Sequence, residues 1–157
     1  MLRRIFLCLT LIAAQPLLAQ TTAPVIHTAA ELQQREARLM RSAKASPTGL
    51  ALDNMDEFGT YHTMLIVRVH TGSAERHQFW ADQMIVEKGT ITLLTGGTMQ
   101  AERTNDNRPG ETLGSGIQGG KEVILHPGDI AHIPANVPHL VKIAPGTTTT
   151  YLVFKEK

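Results

Sequence analysis

The chain has 157 residues, with 15 Lys and Arg against 14 Asp and Glu, a formal charge of +1. That near-neutral balance argues against a nucleic-acid surface, and a single Cys leaves neither a disulfide framework nor a paired-thiol redox centre. With four Phe, two Tyr and one Trp, the core must rest on Leu, Ile, Val and Met.

At the N-terminus, Arg3 and Arg4 precede an apolar run from Ile5 to Ala14, and Leu17, Leu18 and Ala19 lead into Gln20. This basic, apolar, small-residue order predicts a secretory signal peptide over residues 1–19, cleaved after Ala19, and the run is too short to span a bilayer. Cleavage removes Cys8, and with Arg3 and Arg4 gone, 13 basic residues face 14 acidic ones, a charge of −1. The mature chain is thus expected in the periplasm or outside the cell, with no stable membrane span. Its length, roughly 138 residues, suits one domain with a real core.

Residues 20–59 read as a helix followed by a linker. Thr28 with Glu31 forms a capping box, and Leu32, Leu39, Met40 and Ala43 recur at helical spacing until Ser46 and Pro47. A helix over 29–44 follows, amphipathic but with Glu36 interrupting its stripe. It packs outside the domain or covers a partner subunit, and the second arrangement implies a homodimer.

Residues 60–157 read as a β-domain. Short β-branched runs at 63–69, 84–86, 90–95, 121–125, 130–133, 139–143 and 147–154 are separated by Gly, Pro, Asn and Asp turns. No strand alternates with a long helix, so the pattern predicts an all-β antiparallel barrel or jelly roll with one N-terminal amphipathic helix. The polar, Gly- and Pro-containing segment 100–120 is expected to be a mobile loop or ragged hairpin near one mouth.

Strand side chains alternate, so Glu75 and His77 share a face. Past Pro138, His139 shares a face with Val141 and Ile143, whose apolar character turns that face inward. A small barrel leaves room for side chains or one small ligand, so inward polar residues near one end meet. Glu75, His77, Asp82 and His139 then make a candidate metal site of three or four ligands.

These stretches resemble the two signature motifs of the cupin superfamily. Counting back from Gly89, Asp82 falls at the first motif's Glu position, His77 at its second His and Glu75 at its first His. Gly128, Pro134 and His139 fit the second motif without a gap. Four positions depart from the pattern: Glu75 replaces His, Asp82 replaces Glu, Asn136 replaces Gly and Ile143 replaces Asn; Gly72 also lies closer to Glu75 than the pattern asks. Asn136 is tolerable because Asn visits left-handed backbone angles readily. A spacer of three residues between His77 and Asp82, in place of four, would turn Arg76 and Gln78 inward and lose the metal.

The resemblance, to small exported bacterial cupins, implies a divalent metal ion. Two imidazoles with two carboxylates lean toward manganese, iron or zinc over copper. Asp82, one methylene shorter than Glu, either ligates directly or acts from behind the ligands. The implied function is action on, or binding of, a small organic molecule, with isomerase, lyase or dioxygenase chemistry and Glu75 or Asp82 moving a proton. A non-catalytic module for a small ligand or sugar, with a degenerate metal site, is the alternative. Elsewhere, His62, His70 and His132 are expected at the surface or satisfied by the sheet, His126 in a turn, and Lys88, Arg103 and Arg108 in solvent. Trp80 either stacks on a ligand or plugs the barrel, and Tyr151 and Phe154 belong to the core.

Overall fold

The structure is a computed structural model that describes residues 24–157. The expected signal peptide, its expected cleavage point and Cys8 lie outside the described residues.

Thr28 caps helix α1, Ala29–Ala45, in the expected reciprocal way: its side chain accepts from the Glu31 backbone, and the Glu31 carboxylate accepts from the Thr28 backbone at 2.8 Å. Leu39 and Ala43 are buried against Leu65 and Val67, with Leu32, Met40, Ala51, Met55, Val69 and Leu152 around them. The helix therefore covers the outer face of its own domain. Glu36, which interrupts the stripe, is used as an anchor: it accepts from Thr150 Oγ1 at 3.0 Å and from Lys88 Nζ at 2.5 Å.

Thirteen strands follow in the described residues, all paired antiparallel. They are β1 Leu50–Glu57, β2 Tyr61–Arg68, β3 Ala74–His77, β4 Ala81–Lys88, β5 Ile91–Thr95, β6 Thr98–Gln100 and β7 Arg103–Thr104, then β8 Glu111–Gly114, β9 Gly116–Gln118, β10 Lys121–Leu125, β11 Ile130–Ile133, β12 His139–Lys142 and β13 Thr149–Glu156. One sheet runs β1-β2-β13-β4-β11, a second runs β10-β5-β12-β3-β8-β7, and β6-β9 forms a small third. The two large sheets share one core of Met64, Ile66, Met84, Val86, Ile91, Leu93, Leu125, Ile133, Val141, Ile143, Tyr151 and Val153. The all-β antiparallel expectation holds as a jelly roll of two facing sheets that do not close into a single barrel.

Two segments differ from the sequence expectation. The stretch expected as a linker contains β1, an edge strand paired with β2 and bulged between Asn54 and Asp56. Its acidic residues hide the strand signal, yet both aspartates find partners: Asp53 Oδ2 accepts from Arg35 and Arg38 of the helix at 2.9 and 2.8 Å, and Asp56 Oδ2 accepts from Thr63 at 2.7 Å. Segment 100–120 is the ragged hairpin of the two alternatives, and it adds β8 and β7 to the edge of the six-stranded sheet.

With α1 on one side and the facing sheet on the other, β2 is buried from Thr63 through Arg68, which accounts for its uninterrupted apolar run. Leu39→Ala should cost about 2–4 kcal/mol in urea denaturation while leaving the binding properties of the native protein unchanged, because the residue lies on the far side of the sheet from the intersheet space.

Candidate metal centre

Register brings the polar residues together. His139 on β12 lies directly opposite Glu75 on β3, so the two share one face of the six-stranded sheet, and His77 joins them two residues along. Donor atoms of Glu75, His77 and His139 all lie within 4.8 Å of one another, and the imidazole rings are 5.1 Å apart between centroids. His77 is buried and Arg76 pairs outward with Glu102 at 2.8 Å, the orientation expected of the four-residue spacer.

The opposite sheet supplies the other wall. Asp82 on β4 pairs in register with Lys155 on β13, and Lys155 Nζ donates to Asp82 Oδ1 at 2.5 Å. Asp82 Oδ2 sits 3.4 Å from His77 Nε2 and 3.7 Å from His139 Nε2. Asp82 therefore stands beside the Glu75–His77–His139 cluster with one oxygen already taken by an ammonium. Burial alone would raise its carboxyl, but the adjacent His77 and Lys155 outweigh burial and hold it down, from the ordinary 3.8 to about 2.

Each imidazole is held from behind. His77 lies opposite Glu111 in the β3–β8 register, and Glu111 Oε2 is 3.4 Å from His77 Nδ1. His139 Nδ1 is 3.2 Å from the carbonyl of Val137. A proton on Nδ1 in both rings leaves both Nε2 lone pairs for the cluster, the usual device for aiming a ligating imidazole. Burial pushes the pKa of His139 down against the opposing pull of Glu75 and Asp82, which favours its neutral, ligating form. Among the described residues His77 Nε2 is buried and makes no hydrogen bond, its near neighbour Asp82 Oδ2 standing 3.4 Å away, and an unsatisfied buried polar atom ordinarily costs ~1–3 kcal/mol. A metal ion at that point would satisfy it, so the donor set fits the divalent ion that the sequence motifs imply.

The second motif is strapped onto the first. Asn136 sits at φ 66°, the left-handed conformation expected of its motif position, and its backbone N–H donates to the carbonyl of His77 at 2.8 Å. Its side chain donates to the carbonyl of Gln78 at 3.3 Å.

Two cavities adjoin the cluster. The larger, of about 630 Å³, is lined by Glu75, His139, Asp82, Arg68, Tyr151 and Lys155 among others. A smaller one of about 300 Å³ is lined by His77, Glu111, His62, Trp80 and Pro109 among others. His62 stands edge-on to Trp80 with centroids 4.8 Å apart, so both line a cavity, and for His62 this corrects the expected surface position. His132 and His126 are exposed, as expected. Arg103 and Arg108 are exposed but rim the larger cavity, and Ile143, at the last motif position, is core. Tyr151 is buried as expected, yet its hydroxyl accepts from Arg68 Nε at 2.8 Å inside the cavity.

Glu111, Arg68 and Lys155 were absent from the sequence-derived site. Glu111 lies in the segment expected as a mobile loop or ragged hairpin, and only pairing of that segment with β3 places it behind His77. Lys155 lies beyond the last expected strand, and β13 extends far enough to carry it opposite Asp82. Arg68 had one signal, its even spacing with Met64 and Ile66.

No family model matches the chain, and no curated protein matches it. Solved structures do. A protein from Thermus thermophilus superposes at a TM-score of 0.53 with 17% identity, covering 77% of this chain and 92% of that one. A recombinant oxalate oxidase in complex with glycolate gives 0.51 at 13% identity, over 72% of this chain and 53% of that one. The cupin domain of Schizosaccharomyces pombe Cnp3 gives 0.50 at 6% identity, over 69% and 61%. The chain thus has a cupin fold.

The depressed Asp82 carboxyl makes stability depend on pH. Its folded value lies below the ordinary one, so the ionised form contributes fully above about pH 4 and the contribution is lost as pH falls toward about 2. In urea titrations of metal-free protein, Asp82→Asn should be less stable at neutral pH because it strands Lys155. It should also lose about 2 kcal/mol less than the parent between pH 5 and pH 2. Parallel pH profiles would show that Asp82 carries no such shift.

Proposed function

We propose that this protein is an exported metal-dependent enzyme acting on a small organic molecule, with Glu75, His77 and His139 as metal ligands. The observation that carries this reading is the buried Nε2 of His77, which makes no hydrogen bond among the described residues and lies close to a second imidazole and a carboxylate with Glu111 behind it. Two imidazoles and one carboxylate form a donor set used by ferrous and zinc sites that keep an open position. A bound manganese, iron or zinc ion supplies Lewis acidity toward a carbonyl or enolate oxygen, which suits isomerase, lyase or dioxygenase chemistry.

The protein's own groups divide the remaining work. The larger cavity gives a small molecule access to Glu75 and His139 between apolar side chains such as Leu50, Leu52, Met64 and Ile66 and a set of charged ones. Asp82, ionised and hydrogen-bonded to Lys155, is too weak a base to accept protons well near neutral pH; its role is to hold the Lys155 ammonium at the cavity wall. Lys155 Nζ keeps further N–H donors for a substrate oxygen. Export rests on the Arg3, Arg4 and Ile5–Ala14 pattern of the leader.

One observation favours the non-catalytic alternative, a binding module for a small ligand or sugar. If the metal takes Glu75, Asp82 is the next carboxylate beside the imidazoles, and Lys155 already takes one of its two oxygens. Water exchange distinguishes the two, since an enzyme needs an open coordination position.

Protein purified without an affinity tag should hold close to one equivalent of metal by elemental analysis, and His77→Ala and His139→Ala should each abolish it. Glu111→Gln should weaken metal affinity by about 10–100-fold without removing a ligand. The manganese-loaded protein should enhance water proton relaxation. A parent without metal, or metal retained after loss of both histidines, would exclude this site, and stoichiometric manganese without exchangeable water would favour the binding module.

A further inference from the structure

We propose that the larger cavity binds a small organic carboxylate, whose carboxylate group docks on the guanidinium of Arg68 beside the Glu75–His77–His139 cluster. This deepens the metal-site reading, on which it rests, by naming the ligand class of the same cavity.

Arg68 is only 6% exposed, yet it lines the cavity. Its Nε donates to Tyr151 at 2.8 Å, and its Nη2 makes a long contact of 3.5 Å with Glu75 Oε1. Its Nη1 makes no hydrogen bond to the described residues. A guanidinium presents five donors in a planar fork that matches a carboxylate, and here most of that fork is uncommitted. Room for it comes from Gly72, where a Cβ would lie 2.3 Å from Nη1. That close approach gives a physical reason for a glycine at 72.

Charge around the cavity points the same way. Arg68, Arg103, Arg108 and Lys155 line it against Glu75, Asp82 and Glu111, an excess of one positive charge. A divalent ion would raise the excess to three and draw on Glu75, the only carboxylate within salt-bridge range of Arg68 among the described residues. A buried guanidinium without a counter-ion is strongly disfavoured, and an anionic ligand restores the balance. The walls formed by Leu50, Leu52, Met64 and Ile66 favour an anion with an organic body over inorganic phosphate, which has no apolar surface to set against them.

Phenylacetate and phenylacetamide, alike in shape and different in charge, provide the test by calorimetric titration into the intact protein, metal-free and manganese-loaded. The carboxylate should bind at least about tenfold more tightly than the amide. Arg68→Met should erase that preference, and Gly72→Ala, which crowds Nη1, should weaken phenylacetate while leaving phenylacetamide unchanged. Equal affinities in the parent, binding of neither probe, or a preference that survives Arg68→Met would overturn the proposal. If Arg68→Met does not fold, the parent comparison and Gly72→Ala decide it. A protein that takes up no manganese but still prefers phenylacetate would refute the metal site and keep the carboxylate subsite. One that binds manganese stoichiometrically and does not distinguish the probes would do the reverse.

Discussion

Between the two sheets, Arg68, His77, Asp82, Glu111, His139 and Lys155 are all buried. Charges removed from water are tolerated only where partners replace the lost solvent. The Asp82–Lys155 pair, the Arg68–Tyr151 hydrogen bond and the Glu111 contact on His77 meet that requirement across strands that are far apart in sequence. The jelly roll makes these pairings possible because opposed registers, Lys155 with Asp82, Glu111 with His77 and His139 with Glu75, set each partner directly across from the other. Among the described residues this mutual compensation is incomplete at the imidazole of His77. Its Nε2 makes no hydrogen bond there, and it is the atom a metal ligand needs.

The rest of the fold stiffens that arrangement. Helix α1 covers the outer face of β2 through Leu39 and Ala43, so the strand that carries Arg68 is packed on both sides and the cavity wall cannot readily shift. The Asn136 turn ties the His139 segment to the His77 carbonyl, fixing the spacing between the two imidazoles. Ligand groups placed on strands and braced by neighbouring partners are held more closely than groups on free loops.

The two sheets contribute different chemistry. Glu75, His77, His139 and Glu111 come from the six-stranded sheet, and Arg68, Asp82, Tyr151 and Lys155 from the five-stranded one. One wall carries the donors for a cation, and the other carries the cations and hydrogen-bond donors suited to an anionic ligand. A small carboxylate spanning the gap would meet both walls at once, which unites the metal reading and the Arg68 subsite in one cavity.

Local pattern was enough to reveal the capped helix, the antiparallel β class and the pairing of Glu75 with His77, because capping and strand alternation act over a few residues. The turn around Gly128 and Pro134 likewise placed His139, and the left-handed angle at Asn136 followed from the nature of Asn. The edge strand β1 was hidden because Asp53 and Asp56 are made compatible with a sheet only by distant partners, Arg35, Arg38 and Thr63. Long-range register alone decided that Glu111 braces His77, that Lys155 occupies Asp82 and that Arg68 opens into the cavity, since a partner's identity is set by which strand lies opposite and no short stretch of chain encodes its neighbour. The sequence by itself determined the helix, the antiparallel β class and two imidazoles of a site; the tertiary structure decided which charges surround them, because burial makes every ionic group depend on what faces it.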